Sequence, residues 1–276
     1  MTVTRVVETE GPMPATFLYA EATPESIARH VWLRPHFLAE DGRLIGSIHA
    51  FVVESQGRCI VVDTCVGNDK VRPQKHWHLR QGRFLEDLAE AGFARESIDT
   101  VLCTHLHVDH VGWNTMLVEG RWVATFPRAS YLFGRAEWEH WTRQADNPDG
   151  DVMGDSVRPI VDAALAELVD MDHRLTGEVR LEPTPGHTPG HVSVRIASQG
   201  AEAVITGDLM HHPVQCAEPD WANRFDVDPA AARATRRAFL ERHAGRSVLV
   251  LGTHFATPTA GRIAKDGDAW RFEPEG

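Results

Sequence analysis

The feature that most constrains this chain is the string H-x-H-x-D-H at residues 105–110, which places four potential metal ligands within six residues. If the backbone there is extended, the imidazoles of His105 and His107 leave the same face and can close on one ion. A turn immediately afterwards would direct Asp109 and His110 towards a second ion. The string therefore predicts a dinuclear metal site, and a histidine-rich surface loop is the alternative.

Three later segments end in residues that could complete such a site, because metal ligands come from loops that converge. His187 follows Pro185 and Gly186, where a sharply turned backbone can aim a side chain. Asp208 and His254 each follow a short apolar run that is typical of a buried strand. The predicted ligands are His105, His107 and His187 for one ion, Asp109, His110 and His254 for the other, and Asp208 as a bridge.

The hydrophobic pattern alternates between strands and helices, which predicts an α/β fold. Asp228 before Pro229 is a good helix N-cap with proline in the first turn. Strands are predicted at 45–54 and 59–63 as a hairpin, at 100–104, and near Val179, Val192 and Val204; helices are predicted at 84–92, near 155–169 and at 228–243.

Composition limits the functional classes. A formal net charge of -11 disfavours nucleic-acid binding, which requires basic surfaces. A chain of 276 residues without a linker-like segment is expected to form one domain, residues 1–276. The polar N-terminus and the lack of any long apolar stretch indicate a cytoplasmic protein with no membrane partner. The cysteines form no C-x-x-C pair and are expected to be buried thiols: Cys59, Cys65, Cys103 and Cys216.

Taken together, four motifs resemble the metallo-β-lactamase-fold superfamily over residues 45 to 255. They are H-x-H-x-D-H at 105–110, P-G-H-T-P-G-H at 185–191, T-G-D at 206–208 and G-T-H at 252–254. The resemblance implies a four-layer αββα sandwich with the metals at one edge. It also implies that Asp208 is the bridging aspartate of the hydrolase branch, and that Asp63 is the carboxylate that orients ligands.

Within that branch, residues 207–215 and 225–229 are similar to quorum-quenching N-acyl homoserine lactonases and to methyl parathion hydrolases. The lactonases have a tyrosine three residues after the bridging aspartate, whereas this chain has His211. His211 is therefore expected to donate a hydrogen bond to a substrate oxygen. Asp109 is expected to carry a proton to the leaving group. His191 and His212 are expected either to support the metal ligands without binding the ions or to be structural.

The expected function is hydrolysis of lactones or small neutral esters by two divalent ions, most simply zinc, that lower the pKa of a shared water. The alternatives are an aryl ester or organophosphate triester hydrolase and, from another class, a mononuclear iron sulfur dioxygenase. A non-catalytic binding role is disfavoured, since none of the seven ligands is missing.

The substrate is expected to be a small molecule that enters an apolar pocket. The loop at 30–37 carries aromatic residues that could cover the site or form a homodimer contact. The expected pocket residues follow the metal-ligand segments: Trp113, Phe133, Met153, Met210, Trp221, Phe225 and Phe255.

Overall fold

The computed structural model describes residues 1–144 and 147–275, in two compact units. The first unit comprises Met1–Glu8 and Ile48–Gly177, and the second comprises Thr9–Ser47 and Glu178–Gly276. The prediction that residues 1–276 form a single domain stays a prediction. In the described ranges, no helix combines the length and the apolar character that crossing a membrane would require.

Strands and helices are numbered in chain order. The strands are β1 (Thr2–Met13), β2 (Leu44–Ser55), β3 (Arg58–Val62), β4 (Thr100–Leu102), β5 (Thr115–Val118), β6 (Arg121–Ala124), β7 (Ser130–Gly134), β8 (Ala166–Val169), β9 (Val179–Pro183), β10 (Val192–Ser198), β11 (Ala201–Ile205), β12 (Val248–Leu251), β13 (Ala260–Asp266) and β14 (Ala269–Pro274). The α-helices are α1 (Ala15–Leu18), α2 (Pro24–Ala28), α3 (Phe84–Glu90), α4 (Arg135–Trp141), α5 (Arg158–Asp162), α6 (Val214–Ala217) and α7 (Pro229–His243). Short 3-10 turns occupy Val31–Leu33, Arg95–Ser97, Gly112–Asn114 and Gly207–Leu209, and a π-helical turn occupies Met153–Val157.

The sheet of the first unit has the strand order β1-β2-β3-β4-β7-β8. β2 and β3 form the predicted hairpin, with Phe51 opposite Val62. β3, β4, β7 and β8 run parallel to one another. Because parallel strands end at the same edge, the loops after β3 and β4 begin side by side. Asp63 and the string at 105–110 come from these two loops.

Two predictions for the first unit are wrong. β4 ends at Leu102, so His105 and His107 lie in the turn after the strand and not on an extended backbone. The helix predicted near 155–169 ends at Asp162, and Ala164 has a φ of 56°, which a right-handed helix does not accommodate. The apolar run that follows is β8, which pairs with β7, so sheet pairing overrides the local helical pattern.

The sheet of the second unit has the order β14-β13-β12-β11-β10-β9. β11 and β12 are parallel, with Ile205 opposite Leu251, so their following loops leave the same edge and carry Asp208 and His254. Helix α7 begins as predicted. The carboxylate of Asp228 accepts hydrogen bonds from the backbone N–H groups of residues 230 and 231 at 3.1 and 3.0 Å.

Each unit has its own hydrophobic core, and these cores contain most of the expected pocket residues. Phe225 has 37% of its surface exposed, whereas the other six side chains are buried. The prediction that the seven residues line a substrate pocket stays a prediction. Trp113, Phe133 and Met153 belong to the core of the first unit, and Met210, Trp221 and Phe255 to that of the second. The cysteines are free thiols, as predicted; Cys59 is only half-buried, and Cys65, Cys103 and Cys216 are buried.

Candidate metal centre

The buried carboxylate of Asp63 fixes the start of the string in the first unit. It accepts hydrogen bonds from the backbone N–H of Thr104 at 2.7 Å and from its hydroxyl at 2.9 Å. His110 Nδ1 lies 2.9 Å from the same carboxylate. Asp63 has a φ of 58°, a left-handed conformation that non-glycine residues adopt mainly where the surroundings enforce it. These contacts match the predicted orienting role of Asp63.

The potential ligand atoms of the string lie close together. His105 Nε2 and His107 Nδ1 are 3.1 Å apart, and the rings of His105 and His110 are 4.0 Å apart. Asp109 Oδ1 lies 3.7 Å from His110 Nε2. Imidazole nitrogens and a carboxylate oxygen at such spacings form a donor set that divalent transition metals bind.

Helix α4 holds the string through Glu137, whose side chain is buried. Its carboxylate accepts hydrogen bonds from the backbone N–H of Leu106 at 3.1 Å and from Trp141 Nε1 at 2.9 Å. The ring of Trp141 lies 5.2 Å from that of His107. The short string is therefore positioned both by Asp63 and by Glu137.

Three imidazoles converge on the carboxylate of Asp208 in the second unit. His187 Nε2 lies 3.3 Å and His211 Nε2 3.0 Å from Asp208 Oδ2. His254 Nε2 lies 3.1 Å from Asp208 Oδ1. All four side chains are buried. Asp208 thus has the surroundings expected of a carboxylate that binds metal ions together with neighbouring histidines.

The second ring nitrogen of two of these histidines is anchored. His187 Nδ1 lies 2.9 Å from Asp226 Oδ1, and His254 Nδ1 lies 2.8 Å from the backbone carbonyl oxygen of Ser47. A proton held on Nδ1 by such partners leaves the lone pair of Nε2 available to a metal. Burial lowers the pKa of His187, but hydrogen bonds to Asp208 and Asp226 raise it to about 9. The two carboxylates therefore favour positive charge at this position.

His191 and His212 are structural, as predicted. His191 Nε2 accepts a hydrogen bond from the backbone N–H of Asp208 at 2.8 Å. A Cβ atom on Gly207 would lie 2.5 Å from that nitrogen, so the close approach requires glycine. His212 Nε2 donates to the carbonyl oxygen of Phe37 at 2.8 Å. Burial lowers the pKa of His212 to about 4, so its imidazole is neutral.

His211 lies among the candidate ligands of the second unit. Its ring stacks on that of His254 at 5.6 Å, with an interplanar angle of 11°. Its backbone N–H donates to Gln215 Oε1 at 2.8 Å. Burial lowers the pKa of His211, so the side chain is a neutral imidazole with one N–H. Its predicted contact with a substrate oxygen stays a prediction.

Sequence reasoning missed two groups that orient ligands. Asp226 lies in the stretch at 225–229, where nothing in the residue pattern distinguishes it from the helix-capping Asp228. Ser47 acts through its backbone carbonyl, which no side-chain pattern can reveal. No sequence signal marks Asp226, because its role depends on the folded chain, in which the N–H groups of Val227 and Asp228 donate to the carbonyl oxygens of His187 and Gly186 at 2.9 Å. That closeness is visible at Gly186, where a Cβ atom would lie 2.2 Å from the backbone nitrogen of Ala232.

The residues present fit divalent metal ions. Within each unit, imidazole nitrogens and carboxylate oxygens face one another, and the histidines at 110, 187 and 254 have their Nδ1 atoms held by oxygen atoms. Each of the predicted ligands is a residue that could hold a metal ion: His105, His107, Asp109, His110, His187, Asp208 and His254.

Comparison with known sequences gives a family and several relatives. Residues 44–263 match the family model of the metallo-β-lactamase superfamily. An N-acyl homoserine lactonase from Bacillus sp. is 26% identical over 45% of this chain and 43% of its own length. A probable metallo-hydrolase from Mycobacterium bovis is 24% identical over 59% of this chain and 57% of its own length. The chain thus spans about half the length of these relatives.

Solved structures show the same fold. The hydrolase AbOPH of the β-lactamase superfamily has a TM-score of 0.79 and 23% identity, over 99% of this chain and 94% of that chain. AidC, a dizinc quorum-quenching lactonase in complex with a product N-hexanoyl-L-homoserine, has a TM-score of 0.80 and 19% identity, over 99% and 93%. The predicted α/β fold class is confirmed, and so is the predicted relationship to metal-dependent hydrolases. Because the family match covers most of the chain, this protein belongs to the metallo-β-lactamase superfamily.

Proposed function

We propose that the chain is a hydrolase with two divalent metal ions, zinc in the simplest case, that opens lactones or cleaves small neutral esters. In this proposal His105, His107 and His187 bind one ion, and Asp109, His110 and His254 bind the other. Asp208 binds both.

One observation carries the proposal: the Nε2 atoms of His187 and His254 lie 3.3 and 3.1 Å from opposite oxygens of Asp208. A carboxylate that offers one oxygen to each of two histidine-bound cations is what a bridging ligand requires. Since Nδ1 of each histidine is already held, by Asp226 or by the Ser47 carbonyl, their Nε2 atoms are oriented for this role.

Two bound divalent ions would supply an activated water as nucleophile and would polarise the substrate carbonyl oxygen. The side chains then handle protons. Asp109 Oδ1 lies 3.7 Å from His110 Nε2, and we propose that this carboxylate carries a proton to the leaving alkoxide. His211 Nε2 lies 3.0 Å from Asp208 Oδ2, and we propose that this nitrogen carries the proton of the neutral ring and donates it in a hydrogen bond to a substrate oxygen that approaches the same place.

The substrate class rests on relatives and on charge. The lactonase relatives are named for N-acyl homoserine lactones, which are neutral and carry an apolar arm. A net charge of -11 gives an anionic substrate no general attraction to the chain. We therefore propose neutral substrates with an apolar arm. The cytoplasmic location, the homodimer and the lack of a nucleic-acid partner stay predictions.

A second candidate is an aryl ester or organophosphate triester hydrolase. His211 favours it, because an imidazole stands where lactonases have a tyrosine. The iron sulfur dioxygenase would instead need a single iron, and the ligands proposed for a second ion would then have no role.

The test is an activity panel on protein whose metal content has been quantified. It should include butanoyl to dodecanoyl homoserine lactones, an aryl ester, a phosphotriester and, as anionic controls, S-lactoylglutathione and a phosphodiester. The lactones should be the best substrates, and chelation followed by zinc reloading should abolish and restore the activity. A phosphotriester as best substrate would favour the second candidate. A best rate on either anion would contradict the proposed class.

A further inference from the structure

A buried polar cluster lies behind His187 in the second unit. We call it the Asp226 cluster, and it consists of Tyr19, Asn223, Asp226 and Arg236. Asp226 Oδ1 faces His187 Nδ1 at 2.9 Å, and Asp226 Oδ2 accepts from the backbone N–H of Asn223 at 2.9 Å. Arg236 Nη2 lies 3.8 Å from Asp226 Oδ2, and both side chains are fully buried.

Three side-chain atoms of this cluster are buried without a hydrogen-bond partner among the described residues: Tyr19 Oη, Asn223 Nδ2 and Arg236 Nη2. Burying such an atom is destabilising if nothing satisfies its hydrogen-bonding capacity. The atoms belong to neighbouring residues, since Tyr19 and Asn223 form an antiparallel β-bridge. Trp221 contacts both Tyr19 and Arg236. Its ring centroid lies 5.6 Å from that of Tyr19, and its carbonyl oxygen accepts a hydrogen bond from Arg236 Nη1 at 2.9 Å.

These atoms are complementary in chemistry. Asn223 Nδ2 and Arg236 Nη2 can only donate, the phenol of Tyr19 can donate or accept, and a carboxylate has room for about four donors. The 3.8 Å between Arg236 Nη2 and Asp226 Oδ2 is too long for a direct hydrogen bond. Polar groups at such a separation are commonly bridged by water, and a buried water needs two to four polar partners.

The electrostatics keep Tyr19 protonated. Burial raises the pKa of Tyr19 well above its usual value; Arg236 opposes this, and the charges of Asp226 and Asp208 add to it. Tyr19 is thus a neutral phenol within electrostatic reach of both carboxylates, and its proton is available to a hydrogen-bond acceptor.

We propose that Tyr19 is a positioning residue for His187. It acts through one internal water, which accepts hydrogen bonds from Tyr19 Oη and Arg236 Nη2 and donates one to Asp226 Oδ2, and so fixes the carboxylate that holds His187 Nδ1. This role rests on the proposed function, because it assumes that His187 is a metal ligand. Tyr19 lies in the N-terminal segment, far along the sequence from the ligand motifs, which begin at His105.

The test compares the two tyrosines of the chain by zinc affinity, measured by competition with a chelator, and by the absorption spectrum of cobalt-loaded protein. Tyr19→Phe should weaken the binding of one ion by roughly tenfold, the lower end for losing an outer partner of a ligand. The matched control is Tyr131→Phe, because Tyr131 Oη is satisfied by the backbone of Asn114 and Phe126 in the first unit. That variant should lower the melting temperature and leave zinc affinity unchanged. Equal zinc affinity in Tyr19→Phe and wild type would overturn the proposal.

A double variant decides whether Tyr19 acts through Asp226. If it does, Tyr19→Phe should add little to the loss of zinc affinity in Asp226→Asn, because both remove the same support. Fully additive losses would overturn the proposal. A crystal structure tests it independently of folding of the variants: an ordered water within hydrogen-bond distance of Tyr19 Oη and Asp226 is expected, and its absence would overturn the proposal. If the protein binds no divalent metal at all, the proposed function fails, and with it the role of Tyr19 as a positioning residue.

Discussion

The two units present their candidate ligands in different ways. The first unit carries four of them within residues 105–110, and a single carboxylate, Asp63, contacts both Thr104 and His110. The second unit collects His187, Asp208 and His254 from three loops, each with its own anchor.

Compact and dispersed ligand sets thus depend on different supporting residues. A short string needs few anchors, because its members are already tied together by the backbone. Dispersed ligands each need an orienting partner, and in the second unit these are Asp226, the Ser47 carbonyl and His191. The dispersed set should therefore be the more sensitive to changes outside the motifs.

The largest effect is expected for Asp208→Ala. Removing the carboxylate that faces both His187 and His254 would leave the two proposed cations without the intervening charge. Turnover should fall below roughly a thousandth and both ions should be lost, as seen by elemental analysis and steady-state kinetics. Asp220→Ala is the control, because Asp220 is exposed and its carboxylate accepts a hydrogen bond from the half-exposed Arg237. Retention of two ions in Asp208→Ala would contradict the bridging role.

His211→Ala should reduce kcat by roughly ten- to a thousandfold with metal content intact, the range for losing one proton donor. His211→Tyr should raise lactone activity relative to phosphotriester activity, if this position sets the choice between them. If His211→Ala matches the wild-type rate on every substrate, His211 has no catalytic role.

Asp63→Asn and Asp226→Asn each remove one carboxylate that orients a proposed ligand, the first in the first unit and the second in the second unit. Each should weaken metal binding by about ten- to a hundredfold, but at different ions. Asp63→Asn should affect the ion assigned to His110, and Asp226→Asn the ion assigned to His187. When each variant is titrated with cobalt, the two variants should lose different absorption bands of the bound cobalt. The same band lost in both variants would refute the ligand assignment.

The smallest effect concerns the apolar arm of the substrate. Phe17 and Phe225 are exposed, with ring centroids 5.5 Å apart, and Phe225 precedes the ligand-orienting Asp226. Longer acyl chains should raise kcat/KM by about tenfold for each 1.4 kcal/mol of burial in the transition state. Phe225→Ala should reduce this preference by several-fold, as measured across the lactone series. An unchanged series would remove Phe225 from substrate binding.

Patterns of neighbouring residues in the sequence predicted some elements of the fold correctly. The hairpin of β2 and β3 and the N-cap Asp228 depend on neighbouring residues and are confirmed as elements. The side chains of His105 and His107 lie close together, but in the turn after β4 and not on an extended strand. The helix near 155–169 was wrong because pairing of β8 with β7 depends on residues more than 30 positions away. Asp226 and Tyr19 escaped notice for the same reason, since their contacts are made only in the folded chain.

Whether the seven proposed ligands hold two ions can be decided by counting metal ions per chain in mildly purified, fully active protein. Elemental analysis should give two divalent ions per chain, and removal of one by a graded chelator should abolish most of the activity. A reproducible value near one, with full activity retained, would contradict the dinuclear account.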